Sequence, residues 1–164
     1  MLIFAHLGLT LAAAKLAQWV KPNLNISLFF VALGSLLPDL VDKPLGYLLF
    51  GNMGTGRIFA HTLLFFLILI MLAAILQNRN LASLSAGVFA HLLEDSMWNM
   101  PQTLFWPLMG DFVINPPRGV FDYVQALIMG LHNPGIAIPE LFGFAYTCYL
   151  AYAIVSRSLK RLYL

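Results

Sequence analysis

Residues 58–76 read IFAHTLLFFLILIMLAAIL and contain no Asp, Glu, Lys or Arg. A helix needs about 20 mostly apolar residues to cross the ~30 Å hydrocarbon core of a bilayer, and this stretch has that length. Four further apolar segments are residues 2–20, 26–40, 81–98 and 138–155. The second is expected to stop at Pro38 and Asp39, because proline interrupts a helix. The sequence therefore predicts an all-α polytopic membrane bundle of about five transmembrane helices.

The composition agrees with this prediction along the whole chain. Of the 164 residues, 60% are hydrophobic and 10% are charged, whereas about a quarter of the residues in a soluble domain are charged. The single Cys148 excludes a disulfide framework and a thiolate metal site, and a net charge of +2 gives no indication of nucleic-acid binding. We expect one integral membrane domain, residues 1–164, in contact with membrane lipids; the sequence leaves its oligomeric state open.

The two ends of the sequence and one long connection complete the predicted architecture. The N-terminus has neither the basic region nor the small-residue cleavage site of a secretory signal, so residues 2–20 are expected to remain as a helix. The connection between the fourth and fifth segments is rich in Pro, Trp and Phe. Within it, residues 121–131 show the amphipathic pattern of an interfacial or re-entrant helix.

The basic residues predict the orientation of the bundle. If the helices alternate in direction, most basic residues fall on one side, which should be cytoplasmic. That larger group comprises Lys15, Lys21, Arg79, Arg157, Lys160 and Arg161, and the smaller group comprises Lys43, Arg57 and Arg118. The C-terminus is therefore expected in the cytoplasm.

Ionisable residues within the apolar segments are the strongest functional signal. Five of them are candidate metal ligands, namely His6, Asp39, His61, His91 and Asp95, and the predicted topology places all five at a similar depth toward the outer face. A charged residue inside a spanning helix costs about 2.5 to 3.5 kcal/mol on insertion scales. A divalent metal bound by imidazoles and carboxylates would offset that cost.

The spacing of these residues supports a shared site. His91 and Asp95 are four residues apart, which places both on one face of a helix. Arg57 and His61 have the same spacing, so a permanent cation is expected beside a ligand. Each residue also has a simpler interpretation, because a membrane histidine can be a hydrogen-bonded packing residue and His91 with Asp95 can be a buried ion pair.

The sequence alone does not decide the roles of three residues, one histidine and two tryptophans. His132 lies in a Leu-His-Asn-Pro turn, where it is either an interfacial loop residue or a further ligand. Trp98 and Trp106 are either interface anchors or contacts for an amphiphilic substrate.

Five short motifs resemble the YdjM-like family of inner-membrane-associated proteins from bacteria and archaea. They are His6, LLPDLVD at residues 36–42, RIFAHT at 57–62, AHLLED at 90–95 and LFWP at 104–107, in the family's order. The resemblance implies a metal-dependent hydrolase in the cytoplasmic (inner) membrane of a prokaryote. Two departures are GRIFAHT at residues 56–62, where the family often has HRGxTHS, and Asp42-Lys43, where it has Asp-His.

The order of the ligands is also similar to that of zinc-dependent phospholipase C, which has His, Asp, His and His-x-x-x-Asp. That similarity implies that Asp39, His61, His91 and Asp95 hold one metal and that Asp95 bridges to a second at His6. The soluble enzymes have a further His, His and Glu set, which has no good match here. The resemblance therefore implies one or two divalent ions, Zn²⁺ first and Mn²⁺ as the alternative.

These observations lead to three functional hypotheses. The first is a hydrolase that uses a metal-activated water on an ester or phosphoester of a lipid-like substrate at the outer interface. In it, Arg57 binds phosphate, and Asp42, or Asp39 if it is not fully engaged as a ligand, serves as general base or orients a ligand imidazole. The others are a non-catalytic partner protein stapled by metal, and an ion or proton transporter. The sequence lacks Gly-x-Ser-x-Gly and His-Glu-x-x-His, which weighs against a serine hydrolase and a zincin.

Overall fold

The computed structural model describes residues 2–51, 55–116 and 119–162, with side chains up to residue 156; Arg118 and the side chains of Arg157, Lys160 and Arg161 lie outside this part. Within it the chain is all-α, as predicted, with no strand. The seven α-helices are α1 Ile3–Val20, α2 Leu28–Phe50, α3 Leu63–Ile75, α4 Arg79–Glu94, α5 Pro101–Leu104, α6 Val120–Gly130 and α7 Pro134–Leu162. A 3₁₀ turn, Met97–Asn99, lies between α4 and α5.

The helix ends follow local sequence signals. Asn78 caps α4 by accepting hydrogen bonds from the backbone N–H groups of Asn80 and Leu81. Thr62 caps α3 in the same way through Phe65. Gly51 ends α2 with φ +60°, a left-handed conformation that glycine adopts without strain.

The prediction that the second helix ends at Pro38 is wrong. α2 continues to Phe50 through both Pro38 and Pro44. A proline within a helix removes one backbone hydrogen bond and crowds the preceding turn, which packing against neighbouring helices can offset. Here α2 packs extensively on α4 and also on α1. Asp39 therefore lies within a helix, with its side chain toward α4.

The predicted start of the third helix at residue 58 is also wrong. α3 begins at Leu63, and the preceding segment from Thr55 to Thr62 is not helical. The fourth helix ends at Glu94 rather than at residue 98, so Asp95 is its C-cap. The last helix is longer than residues 138–155, because it starts at Pro134.

The helices pack in the spatial order α7, α1, α2, α4, α3. Glycines allow two of these crossings to be very close. A Cβ on Gly34 of α2 would lie 2.0 Å from the carbonyl oxygen of Leu84 in α4, and one on Gly8 of α1 would lie 2.2 Å from Cα of Gly143 in α7. Small residues at such contacts are typical of helix packing in membranes.

The interior combines polar and apolar residues, and many large apolar residues lie on the outside. In the described part of the chain, buried polar or charged residues include His6, Asp42, His61 and His91, all 0% exposed. Exposed side chains include Trp19 at 78%, Phe29 at 71% and Leu48 at 76%. Water-soluble domains bury their large apolar residues instead.

Among the helices that the structure describes, two are long and apolar enough to cross a membrane, namely α1 and the Pro134–Ser156 part of α7. α3 and α6 are apolar but shorter, and α2 has the length but carries Asp39, Asp42 and Lys43. The predicted amphipathic stretch at residues 121–131 forms α6, of which no residue is buried.

Candidate metal centre

His6 is held in place from two directions. Its Nδ1 lies 2.8 Å from Oε2 of Glu94, the last residue of α4. Glu140 of α7 accepts hydrogen bonds from the backbone N–H groups of Phe4 and Ala5, at 3.0 and 2.8 Å. Glu94 thus orients the imidazole, and Glu140 fixes the turn of α1 that carries it.

His91 of α4 is oriented by the backbone of α2. Its Nδ1 lies 2.6 Å from the carbonyl oxygen of Ser35, which is in the turn before Pro38. A backbone carbonyl of one helix thus fixes the orientation of an imidazole on the neighbouring helix.

His61 lies in the non-helical segment before α3, and Asp42 holds that segment in place. The Asp42 carboxylate accepts hydrogen bonds from the backbone N–H groups of Ile58, Ala60 and His61, at 2.8, 2.9 and 3.1 Å. It also lies 2.7 Å from Nδ1 of His61. One fully buried carboxylate thus replaces the missing helical hydrogen bonds and orients the imidazole.

The hydrogen-bond partners determine the tautomer of all three imidazoles. Carboxylate and carbonyl oxygens accept only, so Nδ1 carries the proton in His6, His61 and His91. A ring in its neutral form then has its lone pair at Nε2. The Nε2 atoms of His61 and His91 are 3.1 Å apart, a distance at which two lone pairs repel unless a proton or a metal cation lies between them.

The third of these atoms, Nε2 of His6, is also buried. It forms no hydrogen bond within the described part of the chain, although Oδ1 of Asp95 lies 3.2 Å away. The His6 and His91 rings are stacked with centroids 4.1 Å apart. A buried polar atom without a partner is rare in native proteins and indicates a ligand or ion.

The ligand atoms form two overlapping groups, and within each group they lie within 4.8 Å of one another. One group is His6, His91 and Asp95, and the other is Asp39, His61 and His91. Because Nδ1 of His91 binds Ser35, a single nitrogen of this ring is available. His91 can therefore bind one ion at a time, and the two groups share it.

Two cations lie next to the ligand carboxylates. Arg57 contacts Oδ2 of Asp95 through Nε and Nη2, both at 2.8 Å. Lys43 contacts Oδ2 of Asp39 at 2.6 Å. The predicted proximity of Arg57 to the candidate ligands is thus observed, but it arises from a non-helical segment and not from one helical face.

The donor set fits a divalent metal. Three imidazole nitrogens and two carboxylates converge, and each imidazole donates its other N–H to a protein acceptor, as metal-binding histidines usually do. Nitrogen and oxygen donors of this kind suit Zn²⁺, with Mn²⁺ as the alternative.

The structure brings together all five predicted ligands, which are His6, Asp39, His61, His91 and Asp95. Other predicted positions lie apart from them. His132 is exposed and belongs to neither ligand group, with Nδ1 3.2 Å from the Met129 carbonyl. Trp98 is 57% exposed, and Trp106 packs on Phe59 and Phe112 with ring centroids 5.4 and 5.0 Å away.

The sequence reasoning missed the groups that orient the imidazoles of His6 and His91. Glu94 could have been identified, because an acid inside an apolar helix is as costly as Asp95 beside it. Its second contact is with Thr10, whose hydroxyl donates to Oε1 at 2.9 Å. The carbonyl of Ser35 could not have been identified, because every residue has one.

Comparison with known proteins gives one match. The family model described as YdjM inner membrane protein matches residues 1–161. No curated protein and no solved structure matches the chain. The match covers almost the whole chain and agrees with the resemblance seen in the motifs.

Proposed function

Since this chain belongs to the YdjM inner membrane protein family, we propose that it is a membrane-embedded, metal-dependent hydrolase. The proposed substrate is an ester or phosphoester of a lipid-like molecule. One observation carries the proposal: three buried Nε2 atoms and two carboxylates converge, an arrangement that a divalent cation would stabilise.

The five ligands would share the metal as the two overlapping groups suggest. His91 lies at the centre, with His6 and Asp95 on one side and Asp39 and His61 on the other. A bound Zn²⁺ or Mn²⁺ supplies Lewis acidity, which polarises an ester or phosphoryl oxygen and makes water a better nucleophile.

The surrounding residues have positioning roles in this proposal. Asp42 is fully buried, and both of its oxygens accept hydrogen bonds from the segment that carries His61. A carboxylate engaged in this way orients a ligand, so we assign that role to Asp42 instead of general base. Glu94 has the same role for His6.

Arg57 is the residue that we assign to a substrate phosphoryl group. Its side chain is 41% exposed, while Asp95, which it contacts, is 3% exposed. The planar guanidinium can therefore reach a substrate from the rim of the centre. Trp98 and Trp106 remain our candidates for contacts with the apolar part of the substrate.

We infer that α1, α2, α3, α4 and α7 are the five membrane-crossing helices and that α6 lies at an interface. α3 has 13 residues, which rise about 20 Å. The non-helical segment before α3 would span the rest of the hydrocarbon core. Non-helical backbone is tolerated at that depth where protein covers it, and Ile58, Ala60 and His61 are all buried with their N–H groups on Asp42.

The orientation in this proposal follows from the basic residues. The centre would face the outer side of the cytoplasmic membrane, and the C-terminus would lie in the cytoplasm. A cysteine-accessibility experiment tests this, with Cys148 first replaced by Ala and single cysteines then introduced at the exposed positions Lys21 and Asp111. Labelling of the Asp111 position alone by an impermeant reagent on intact cells is the expected result.

A second candidate is a structural metal site without activity. The observation that favours it is the burial of all three imidazoles at 0% exposure, because structural zinc sites are closed by protein ligands.

A hydrolysis assay separates the two candidates. Purified protein, stripped of metal and reloaded with Zn²⁺ or Mn²⁺, is screened on phospholipids and polyprenyl phosphates. The proposal predicts turnover that needs metal, is lost in His91→Ala with Asp95→Ala, and survives in the exposed control Arg79→Gln. Metal-loaded protein that is stable but inactive on every substrate would favour the structural role.

A further inference from the structure

Lys43 and Arg57 each contact a carboxylate that lies near His61. Nε2 of His61 lies 3.7 Å from Asp39 and 3.9 Å from Asp95. Lys43 binds Asp39 at 2.6 Å, and Arg57 binds Asp95 at 2.8 Å. Each cation is therefore separated from Nε2 of His61 by one carboxylate.

Both cations are more exposed than the groups they contact. The Lys43 side chain is 28% exposed against 14% for Asp39, and Arg57 is 41% exposed against 3% for Asp95. His61 itself is 0% exposed. A ligand that approaches the centre from outside would therefore contact these two cations before it reaches the buried groups.

Lys43 is also held from the outside. Its Nζ lies 5.9 Å from the centroid of the Tyr123 ring in α6, within the range of a cation–π contact. Tyr123 is half-buried, whereas its neighbours in α6 are mostly exposed. This contact keeps the ammonium group at the rim.

Charge balance links these cations to the metal. Asp39, Asp42, Glu94 and Asp95 supply the negative charge around the imidazoles. Without metal, Asp39 and Asp95 are neutralised by Lys43 and Arg57. When a divalent ion binds the same carboxylates, it withdraws their charge from the two cations, which then attract an anion more strongly.

We propose that Lys43 and Arg57 form a binding site for a phosphoryl group, and that metal and phosphoryl group bind cooperatively. An ammonium and a guanidinium are the side chains that bind phosphate best, the first as a point charge and the second as a planar fork. The inference rests on the proposed metal centre and specifies a phosphoester as the substrate class. By linkage, phosphate raises the affinity for metal by the same factor that metal raises the affinity for phosphate.

The experiment measures binding of inorganic phosphate by calorimetry to protein in phosphatidylcholine nanodiscs. Protein is tested metal-free, and again after loading with Mn²⁺ or Zn²⁺ and removal of free ion. Metal content is measured on the same samples. We expect phosphate to bind at least ~10-fold more tightly to the metal-loaded form.

Variants identify the residues involved. Lys43→Met should weaken phosphate binding to the metal-loaded protein by about tenfold or more, the size expected for one charge-assisted hydrogen bond. Lys43→Arg should restore most of it. Arg79→Gln removes a positive charge at an exposed helix start and should bind phosphate as the wild type does.

A competition arm separates two sources of the phosphoryl group. If the natural ligand is a lipid headgroup, phosphatidic acid in the nanodisc should compete with inorganic phosphate. If it is a soluble phosphate ester, phosphatidic acid should leave the affinity unchanged. Either result agrees with the proposed site and identifies its source.

Failure of the proposed function and failure of this inference would give different results. Protein that holds no metal would overturn the proposed function together with this inference. Metal-loaded protein whose phosphate affinity matches that of the metal-free form, or is unchanged in Lys43→Met, would overturn this inference and leave the metal centre intact.

Discussion

The candidate metal centre and the α6 helix differ in what determines the position of their side chains. At the centre, His6, His61 and His91 are 0% exposed, and each has a specific acceptor at Nδ1. In α6 no residue is buried, and Phe121 is 80% exposed. The first region is organised by hydrogen bonds within the protein. The second has an apolar surface whose natural solvent, in an inner membrane protein, is lipid.

The comparison shows where substitutions should matter. A substitution that changes the polarity of a side chain should strongly destabilise the protein where the protein itself supplies every hydrogen-bond partner. It should have little effect on stability in detergent where the side chain faces lipid in the membrane. The four predictions below test that difference, from the largest expected effect to the smallest.

The largest effect is expected at the crossing of α2 and α4. Gly87→Val should prevent folding or cost more than about 3 kcal/mol, because a Cβ there would lie 2.2 Å from the carbonyl oxygen of Val31, and backbone cannot move aside as a rotamer can. Gly130→Ala in α6 is the control, since its Cβ would meet Ile136 at an ordinary 3.5 Å. Thermal melting in detergent measures both. A Gly87→Val protein that melts like the wild type would contradict this close packing.

Asp42→Asn should be the most damaging single polar change at the centre. It leaves shape unchanged but removes the charge that accepts three backbone hydrogen bonds and orients His61. We expect a loss of about 3 kcal/mol in stability, typical for a disrupted buried network, together with weaker metal binding. Asp111→Asn changes an exposed carboxylate and should have neither effect. Equal melting temperatures for the two variants would rule out Asp42 as the anchor.

Glu94→Gln should act mainly on metal affinity. The amide can still contact His6, but it is a weaker acceptor than the carboxylate that lies 2.8 Å from Nδ1. Replacing such a partner typically lowers metal affinity 10- to 100-fold. Competition with a chelator of known affinity measures the change. Thr10→Val removes the second contact of Glu94 and should lower the metal affinity to a smaller extent. If Glu94→Gln leaves the metal affinity unchanged, Glu94 does not orient a ligand.

Phe121→Ser should have the smallest effect in detergent. An exposed side chain in α6 contributes less than about 0.5 kcal/mol to the packing of the protein. Melting temperature and metal content should therefore match the wild type. A clear drop in either quantity would show that the Phe121 face of α6 is packed against protein, and the contrast between the two regions would not hold.

The sequence predicted the fold class and the convergence of the five candidate ligands better than the helix boundaries. These five residues could be identified because charge in an apolar sequence is costly wherever it occurs. The length of α2 could not be predicted, because a proline such as Pro38 usually ends a helix and the compensating contacts with α4 are distant in sequence. The non-helical segment before α3 was missed for a related reason. Its apolar residues fit a helix, and the buried Asp42, which accepts its backbone hydrogen bonds, is distant in sequence.

The most direct test of the central claim is the metal content of protein purified without chelators. Metal analysis should find one or two equivalents of Zn²⁺ or Mn²⁺ in the wild type. The variant with His91→Ala and Asp95→Ala, which removes the shared ligand and one carboxylate, should hold almost none, while Arg79→Gln should match the wild type. A wild type that carries no stoichiometric metal and gains no thermal stability from added Zn²⁺ or Mn²⁺ would contradict the account.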